Sequence, residues 1–189
     1  MAPTRFPATS LTPSQIADLA DAEKAVRDNF GPGIQLKDDE GNLLGPFGPL
    51  SYTPTVLAPY LAHIVTIMAT PLLTPKEREL ATLATVSVTK SEFIAYAHKK
   101  AGLAAGLSEA QVAEAVQGRA VEGLSEREGM IYEIGLELAR CNGRLENDRF
   151  EKAVRIMGRD GVSALAQVVG AYLLAAVLVN VADVKAPVE

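Results

Sequence analysis

Apolar residues recur at three- and four-residue intervals along most of the chain, which is the spacing of amphipathic helices. Four of these segments open with serine or threonine followed three residues later by glutamate or glutamine, the pattern of a capping box. The openings are Thr12–Gln15, Thr74–Glu77, Ser108–Gln111 and Ser125–Glu128. The pattern predicts helices at 13–30, 54–70, 75–89, 91–105, 108–118, 125–141, 147–158 and 161–184. We therefore predict an all-α fold, a multi-helix bundle in a single domain over residues 1–189.

Residues 31–52 break the helical pattern. Glycine and proline are concentrated there, which predicts one long irregular loop. The short apolar stretches 34–36 and 42–44 flank a turn sequence, so a small hairpin within the loop is an alternative. The stretch Gly45–Leu50 has two interpretations: a lid in which Phe47 covers an apolar substrate, or a rigid connector.

The segment 161–182 carries no charged residue and is long enough to span a bilayer. It nevertheless contains several polar residues, and it is flanked by Asp160 and Asp183 rather than by basic anchors. A helix that is apolar on every side is equally typical of a protein core or of a subunit contact. We therefore expect no membrane segment, a cytoplasmic location, and self-association through the last helix.

The composition excludes several classes of function. The chain has a net charge of −5 and no basic cluster, so we do not expect nucleic acid as a partner. Its single cysteine, Cys141, excludes a disulfide framework, a multi-thiolate metal site and a dithiol redox centre within the chain. Because there are only two histidines, we expect no His-rich metal site.

The helix predicted after Lys90 concentrates the candidate chemistry. Ser91, Ile94 and His98 fall at three- and four-residue spacings, so they share a face that is otherwise small and apolar. Since histidine titrates near neutrality, His98 is a candidate acid or base; the alternative is a core histidine bonded to a backbone carbonyl. Glu79 precedes ten residues without a charge. It is a second candidate, and the alternative is a first-turn acid favoured by the helix dipole.

These residues belong to an ordered series of short motifs that resembles the carboxymuconolactone decarboxylase family, within the alkylhydroperoxidase D-like (AhpD-like) superfamily. The motifs are Gly45–Phe47, Arg78–Ala81, Glu92–His98, Ala101–Leu103, Gly106–Ser108, Gly118–Arg119, Gly158–Val162, Gly170–Tyr172 and Asn180. The resemblance implies an AhpD-like helical bundle. It also implies a cyclic homo-oligomer, a dimer, trimer or hexamer, with pockets near the subunit contacts.

The resemblance distinguishes two branches of the superfamily. Redox members use a glutamate, two cysteines and a histidine, at positions that correspond here to Glu79, Ser91, Ile94 and His98. The glutamate and the histidine match, whereas neither cysteine position carries a thiol, so a peroxidase-type oxidoreductase is the least expected alternative. The chain resembles the cysteine-free branch, although Ile94 and Ala95 stand where that branch often has an acidic residue and an aromatic one.

For the cysteine-free branch, the resemblance implies a carboxy-lyase that needs no cofactor and serves aromatic catabolism or secondary metabolism. The implied substrate is a small cyclic carboxylic acid, lactone or keto acid, and the same groups also suit isomerisation or lactone opening. We predict His98 as the general acid and Glu79 as the group that orients it or acts as base. The alternative is a non-catalytic, oligomeric binding protein of the same fold.

Six further residues are predicted to contact the substrate: Ser91, Tyr96, Ile94, Phe47, His63 and Tyr172. Ser91 and Tyr96, together with backbone amides, are candidate donors to an oxyanion. His63 lies in an otherwise apolar helix, where a packing role is an equal alternative. Tyr172 lies on the uncharged last helix, where a core or subunit-contact role is the alternative.

Overall fold

Helices account for most of the chain. The computed structural model describes residues 4–30, 37–38 and 41–186, and eight α-helices lie within these ranges. They are α1 (Pro13–Phe30), α2 (Phe47–Ser51), α3 (Pro54–Met68), α4 (Pro75–Thr89), α5 (Glu92–Ala104), α6 (Glu109–Gln117), α7 (Glu126–Arg140) and α8 (Asn147–Ala182). The predicted all-α fold is confirmed, and the ends of the predicted helices lie within two residues of those observed.

The helix starts show why the sequence located the boundaries well. At Thr12, Thr74, Ser108 and Ser125 the side-chain oxygen accepts a hydrogen bond from the amide three residues later. The glutamate or glutamine at that later position in turn accepts from the amide of the capping residue. All four predicted capping boxes are therefore formed, and each satisfies two amides that a helix start leaves open.

α4 is the central helix, since it packs against α5, α6, α7 and α8. Every residue from Leu80 to Ser87 is buried, which fits the absence of charge in this stretch. Leu83 contributes to a smaller core with α6 and α7, and Ala81 to a larger core shared with α3, α7 and α8. Glu79 lies at the N-terminal edge of this buried stretch.

α8 consists of two helical segments that meet at Gly158. The backbone there has φ 74° and ψ 167°, which is outside the helical region. Glycine adopts such angles without the steric penalty that a side chain imposes. The predicted break between 147–158 and 161–184 is therefore confirmed.

The C-terminal half of α8 is a core helix on one side and exposed on the other. Among the described residues, α8 alone is long and apolar enough to cross a membrane, but 56% of its most apolar window is buried inside the protein. On the outer side Leu174, Val177 and Val181 are exposed. The helix therefore buries only part of its apolar surface within one chain.

The described residues of the predicted loop, 37–38 and 41–52, include an antiparallel bridge and a short helix. An antiparallel bridge joins Lys37 to Leu43, as in the predicted hairpin, whose first stretch (34–36) lies outside the described residues. The prediction of an irregular segment is wrong at its end, where α2 forms. Its glycines and prolines disfavour a helix, but Gly48–Ser51 are buried, so tertiary packing overrides local preference. Phe47 packs against the larger core, which favours the connector over the lid.

Candidate active site

A carboxylate and an imidazole meet where α4 packs against α5. Oε2 of Glu79 lies 2.7 Å from Nδ1 of His98. Both side chains are sheltered, with 8% of Glu79 and 16% of His98 exposed. Because an ionised carboxylate only accepts hydrogen bonds, the Nδ1–H of His98 is the donor. Nε2 of His98 is then the ring nitrogen that can exchange a proton with another molecule.

The corner between α4 and α5 sets how the two helices face each other. Only Lys90 and Ser91 separate them, and Lys90 ends α4 in the left-handed region with φ 55°. Near the end of α8, Nδ2 of Asn180 donates to the carbonyl of Thr89 over 3.1 Å. This hydrogen bond holds the end of α4 against α8, and the contact between Glu79 and His98 depends on how α4 and α5 meet there.

Tyr172 of α8 packs against the imidazole. The Tyr172 and His98 rings meet edge to face, with centroids 4.7 Å apart and an interplanar angle of 86°. Burial, followed by the charge of Glu79, raises the pKa of Tyr172 well above the usual 10. The phenol is therefore a neutral group, and its O–H donates to Sδ of Met68 over 3.8 Å.

Ser91 and Ile94 lie on the inward face of α5, as their spacing with His98 predicted. Ser91 is fully buried at the start of the helix. Its hydroxyl is the one buried side-chain polar atom in the described ranges without a hydrogen-bond partner. Ile94 is buried in the larger core. The face thus combines apolar packing with one hydroxyl that has no partner and one imidazole that is hydrogen-bonded to a carboxylate.

Three of the residues predicted to contact the substrate, Tyr96, Phe47 and His63, have no described contact with Glu79 or His98. The hydroxyl of Tyr96 accepts a hydrogen bond from Nζ of Lys100 over 2.9 Å, and that ammonium lies 4.3 Å from the Tyr96 ring centre. Phe47 is half-buried against the core. His63 is exposed, because α3 turns the opposite face, with Leu57, Leu61 and Ile64, towards the core. In the described part of the chain, no hydrogen bond joins His63 to the Glu79–His98 pair.

Two neighbours of Tyr172 were not predicted. Thr82 lies one turn after Glu79, and its hydroxyl lies near that of Tyr172, so helical spacing alone would have indicated it. Met68 ends α3, and no local pattern connects it with α8. This second contact arises from tertiary packing, which a single sequence does not display.

Other reactive groups do not gather at the pair. Within residues 4–30, 37–38 and 41–186, no set of three or more His, Cys, Asp or Glu side chains is placed to hold a metal ion. Cys141 is exposed at the end of α7, away from α4 and α5 in the chain. The chemistry that the site can offer from its own residues is therefore acid–base chemistry and hydrogen bonding.

Known proteins share this fold and part of this sequence. The model of the carboxymuconolactone decarboxylase family matches residues 54–129, a span that contains Glu79, Ser91 and His98. No curated protein matches the chain. The family match covers part of the chain, from α3 to the start of α7, and includes the site on α4 and α5.

Solved structures resemble this fold over most of the chain. An uncharacterised peroxidase-related protein from Ralstonia eutropha JMP134 with an alkylhydroperoxidase AhpD core has a TM-score of 0.77 and 15% identity, over 99% of this chain and 94% of its own. A cysteine-to-alanine variant of the debrominase Bmp8 in complex with 2,3,4-tribromopyrrole has a TM-score of 0.75 and 11% identity, over 98% and 93% of the two chains. The chain therefore has an AhpD-like fold, and residues 54–129 are similar to the carboxymuconolactone decarboxylase family.

Proposed function

We propose that this protein is a cofactor-independent, decarboxylase-like enzyme that acts on a small cyclic keto acid, lactone or related carboxylic acid. The observation that carries the proposal is the 2.7 Å contact between Glu79 and His98 in a sheltered position. A carboxylate that holds an imidazole by one nitrogen leaves the other nitrogen oriented for proton transfer. The similarity of residues 54–129 to the carboxymuconolactone decarboxylase family supports the same class of reaction.

The reaction needs few groups from the protein. The bond to the departing carboxylate breaks, CO₂ leaves, and the electron pair passes to a conjugated carbonyl as an enolate. The enolate carbon then takes the proton from Nε2 of His98, which solvent later restores. Glu79 fixes the tautomer and orientation of the ring, and it stabilises the imidazolium before the proton is transferred.

The surroundings of the pair support a substrate of low polarity. The ring of Tyr172 contacts His98, Ile94 is buried one turn before His98 on the same helix, and Ala95 is half-buried. The debrominase Bmp8, which shares the fold, has been solved with a small halogenated ring, 2,3,4-tribromopyrrole. A single small ring is therefore the substrate size that we propose for this chain.

The test is turnover of a panel of cyclic keto acids and lactones in D₂O. Product analysis by NMR would show loss of CO₂ with one deuterium on the ring carbon that had carried the carboxylate. We expect His98→Ala to lower kcat by about 10²–10⁴-fold. Lys99→Ala, on the exposed neighbouring position, is the matched control and should keep wild-type turnover. Equal turnover by wild type and His98→Ala would reject the proposal.

We also propose that the chain self-associates in the cytosol, and that the outer face of α8 is the contact between copies. Leu174, Val177 and Val181 are 48%, 64% and 50% exposed and recur at helical spacing. Exposed apolar stripes of this kind are typical of subunit contacts. Sedimentation at micromolar concentration should show an oligomer for the wild type and a smaller species for Val177→Glu. A monomeric wild type would reject this proposal.

A further inference from the structure

The start of α5 lacks the side-chain cap that Thr74, Ser108 and Ser125 give their helices, as does the start of α3 at Thr53. Ser91 occupies the capping position but its side chain bonds to no amide of the helix. Its ψ is 108°, whereas ψ is 161°, 160° and 164° at Thr74, Ser108 and Ser125, which all cap. The difference in backbone rotation separates the hydroxyl from the amides that a capping serine would reach.

The first backbone amides of α5 also have no hydrogen-bond partner in the described part of the chain. The earliest amide of the helix with a backbone partner is that of Ala95, which donates to the carbonyl of Ser91 over 2.9 Å. In the described part of the chain, the amides of Glu92, Phe93 and Ile94 donate to no side chain and to no carbonyl of the preceding turn. These groups carry the positive end of the helix dipole.

The unpartnered hydroxyl of Ser91 is what distinguishes this helix start from an ordinary solvent-exposed one. Ser91 is 0% exposed, so bulk water does not satisfy its hydroxyl. A buried polar group without a partner destabilises the fold, and such groups are rare in native proteins. The carboxylate of Glu92 does not fill the gap, because that side chain is 58% exposed and lies 3.4 Å from Nζ of Lys185.

We propose that the Ser91 hydroxyl and the free amides of residues 92–94 form an oxyanion site for a charged oxygen on a small planar ring. Donors fixed in advance around a developing negative charge are the usual means by which enzymes stabilise enolates. The charged oxygen is an enolate or carboxylate oxygen of the ligand. The role of this site in turnover rests on the proposed function, whereas its affinity for an anion does not.

Ser91 and His98 are on the same face of α5, two helical turns apart. Seven residues of helix correspond to a rise of about 10 Å. A ring substrate can therefore place its carbonyl oxygen at Ser91 and its proton-accepting carbon at His98. The alternative donor, Tyr96, is already engaged by Lys100.

The experiment is a titration of isotopically labelled protein with benzoate, followed by amide NMR. Benzamide, which has the same shape without the charge, is the ligand control. We expect benzoate, and not benzamide, to shift the amides of residues 92–94. We expect Ser91→Ala to weaken benzoate binding at least about tenfold, since it removes a donor to a charged oxygen.

Two variants make the result specific. Ser87→Ala removes a buried hydroxyl that already donates to the carbonyl of Ala84 over 2.7 Å, and it should leave the affinity for benzoate unchanged. His98→Gln should retain the shifts at residues 92–94, because the anion binds at the other end of the site.

Three results would overturn the oxyanion site: benzoate fails to move these amides, Ser91→Ala binds it as tightly as wild type, or His98→Gln abolishes the shifts. The titration involves no turnover, so it separates the two proposals. Amide shifts without turnover of any ring acid would retain the oxyanion site and reject the reaction. Turnover without amide shifts would do the reverse.

Discussion

α5 and α6 are consecutive helices that both begin after a serine and both pack against α4, yet their polar groups are arranged in opposite ways. Ser108 closes the start of α6 in a capping box with Gln111. Ser91 at the start of α5 is buried, and its hydroxyl has no hydrogen-bond partner among the described residues. A cap stabilises a helix by about 1 kcal/mol. The start of α5 lacks that stabilisation, and its capping residue, Ser91, is on the same helix face as His98.

The ion pairs of the two helices differ in the same way. Glu114 of α6 pairs with Arg119 at its end, and those side chains are 40% and 59% exposed. Glu79 and His98 are 8% and 16% exposed. Exposed pairs are screened by water and contribute little, whereas a sheltered pair retains its interaction. This contrast is what the proposed function leads us to expect: a structural role for the polar groups of α6, and a chemical role for Glu79 and His98.

The largest expected effect is on kcat, and it compares the carboxylate of Glu79 with that of Glu114. Glu79→Gln should lower kcat by about 10²–10⁴-fold, because the imidazole loses the charge that orients it and stabilises its protonated form. Glu114→Gln makes the same change in the exposed pair and should leave kcat as in wild type. The measurement is the steady-state rate on the best substrate of the panel. A comparable loss in both variants would remove the distinction between the two helices.

The next effect tests two of the buried tyrosines, Tyr132 and Tyr172. Burial raises the pKa of Tyr132, beside α6, to about 12, and burial with the charge of Glu79 raises the pKa of Tyr172, beside α5, well above 10. The unfolded chain loses these phenolic protons near pH 10 while the folded chain keeps them. Stability should therefore fall as the pH rises above 10, by up to about 1.4 kcal/mol per pH unit for each tyrosine.

The corresponding phenylalanine variants differ at neutral pH. Tyr132→Phe should cost about 1 kcal/mol, since its hydroxyl donates to the carbonyls of Ala115 and Arg119 over 3.2 and 3.0 Å. Tyr172→Phe should cost less, because that hydroxyl donates to a thioether sulfur over 3.8 Å. Urea unfolding at pH 7, 10 and 11 measures both effects. Variants whose stability falls as steeply with pH as that of wild type would contradict this account.

Local signals explain which parts of the structure could be predicted. The capping boxes at Thr74, Ser108 and Ser125 involve residues three positions apart, so the sequence displays them directly. The same holds for the break at Gly158, which a gap in the apolar pattern marked. The common face of Ser91 and His98 also follows from helical spacing.

Tertiary contacts explain the rest. α2 forms in a sequence rich in glycine and proline, because burial of Pro49 and Leu50 outweighs local preference. The contact between Glu79 and His98 depends on the corner that separates α4 from α5, and the sequence predicted only that both groups face inward. His63 was a candidate on apolar neighbours alone. It is exposed because its helical phase differs from that of the core-facing residues.

The smallest expected effect bears most directly on the two helix starts. Ser108→Ala should destabilise the protein by about 0.5–2 kcal/mol, because it leaves an amide of α6 without its cap. Ser91→Ala removes a hydroxyl that makes no bond, so the free energy of unfolding should stay constant or rise slightly. Chemical denaturation of the two variants and wild type at one pH gives the comparison. A loss in Ser91→Ala equal to that in Ser108→Ala would show that Ser91 caps α5 in solution, and the open helix start would then have no functional meaning. Unchanged or higher stability, together with weaker binding of benzoate, would show that Ser91 serves a ligand rather than the fold.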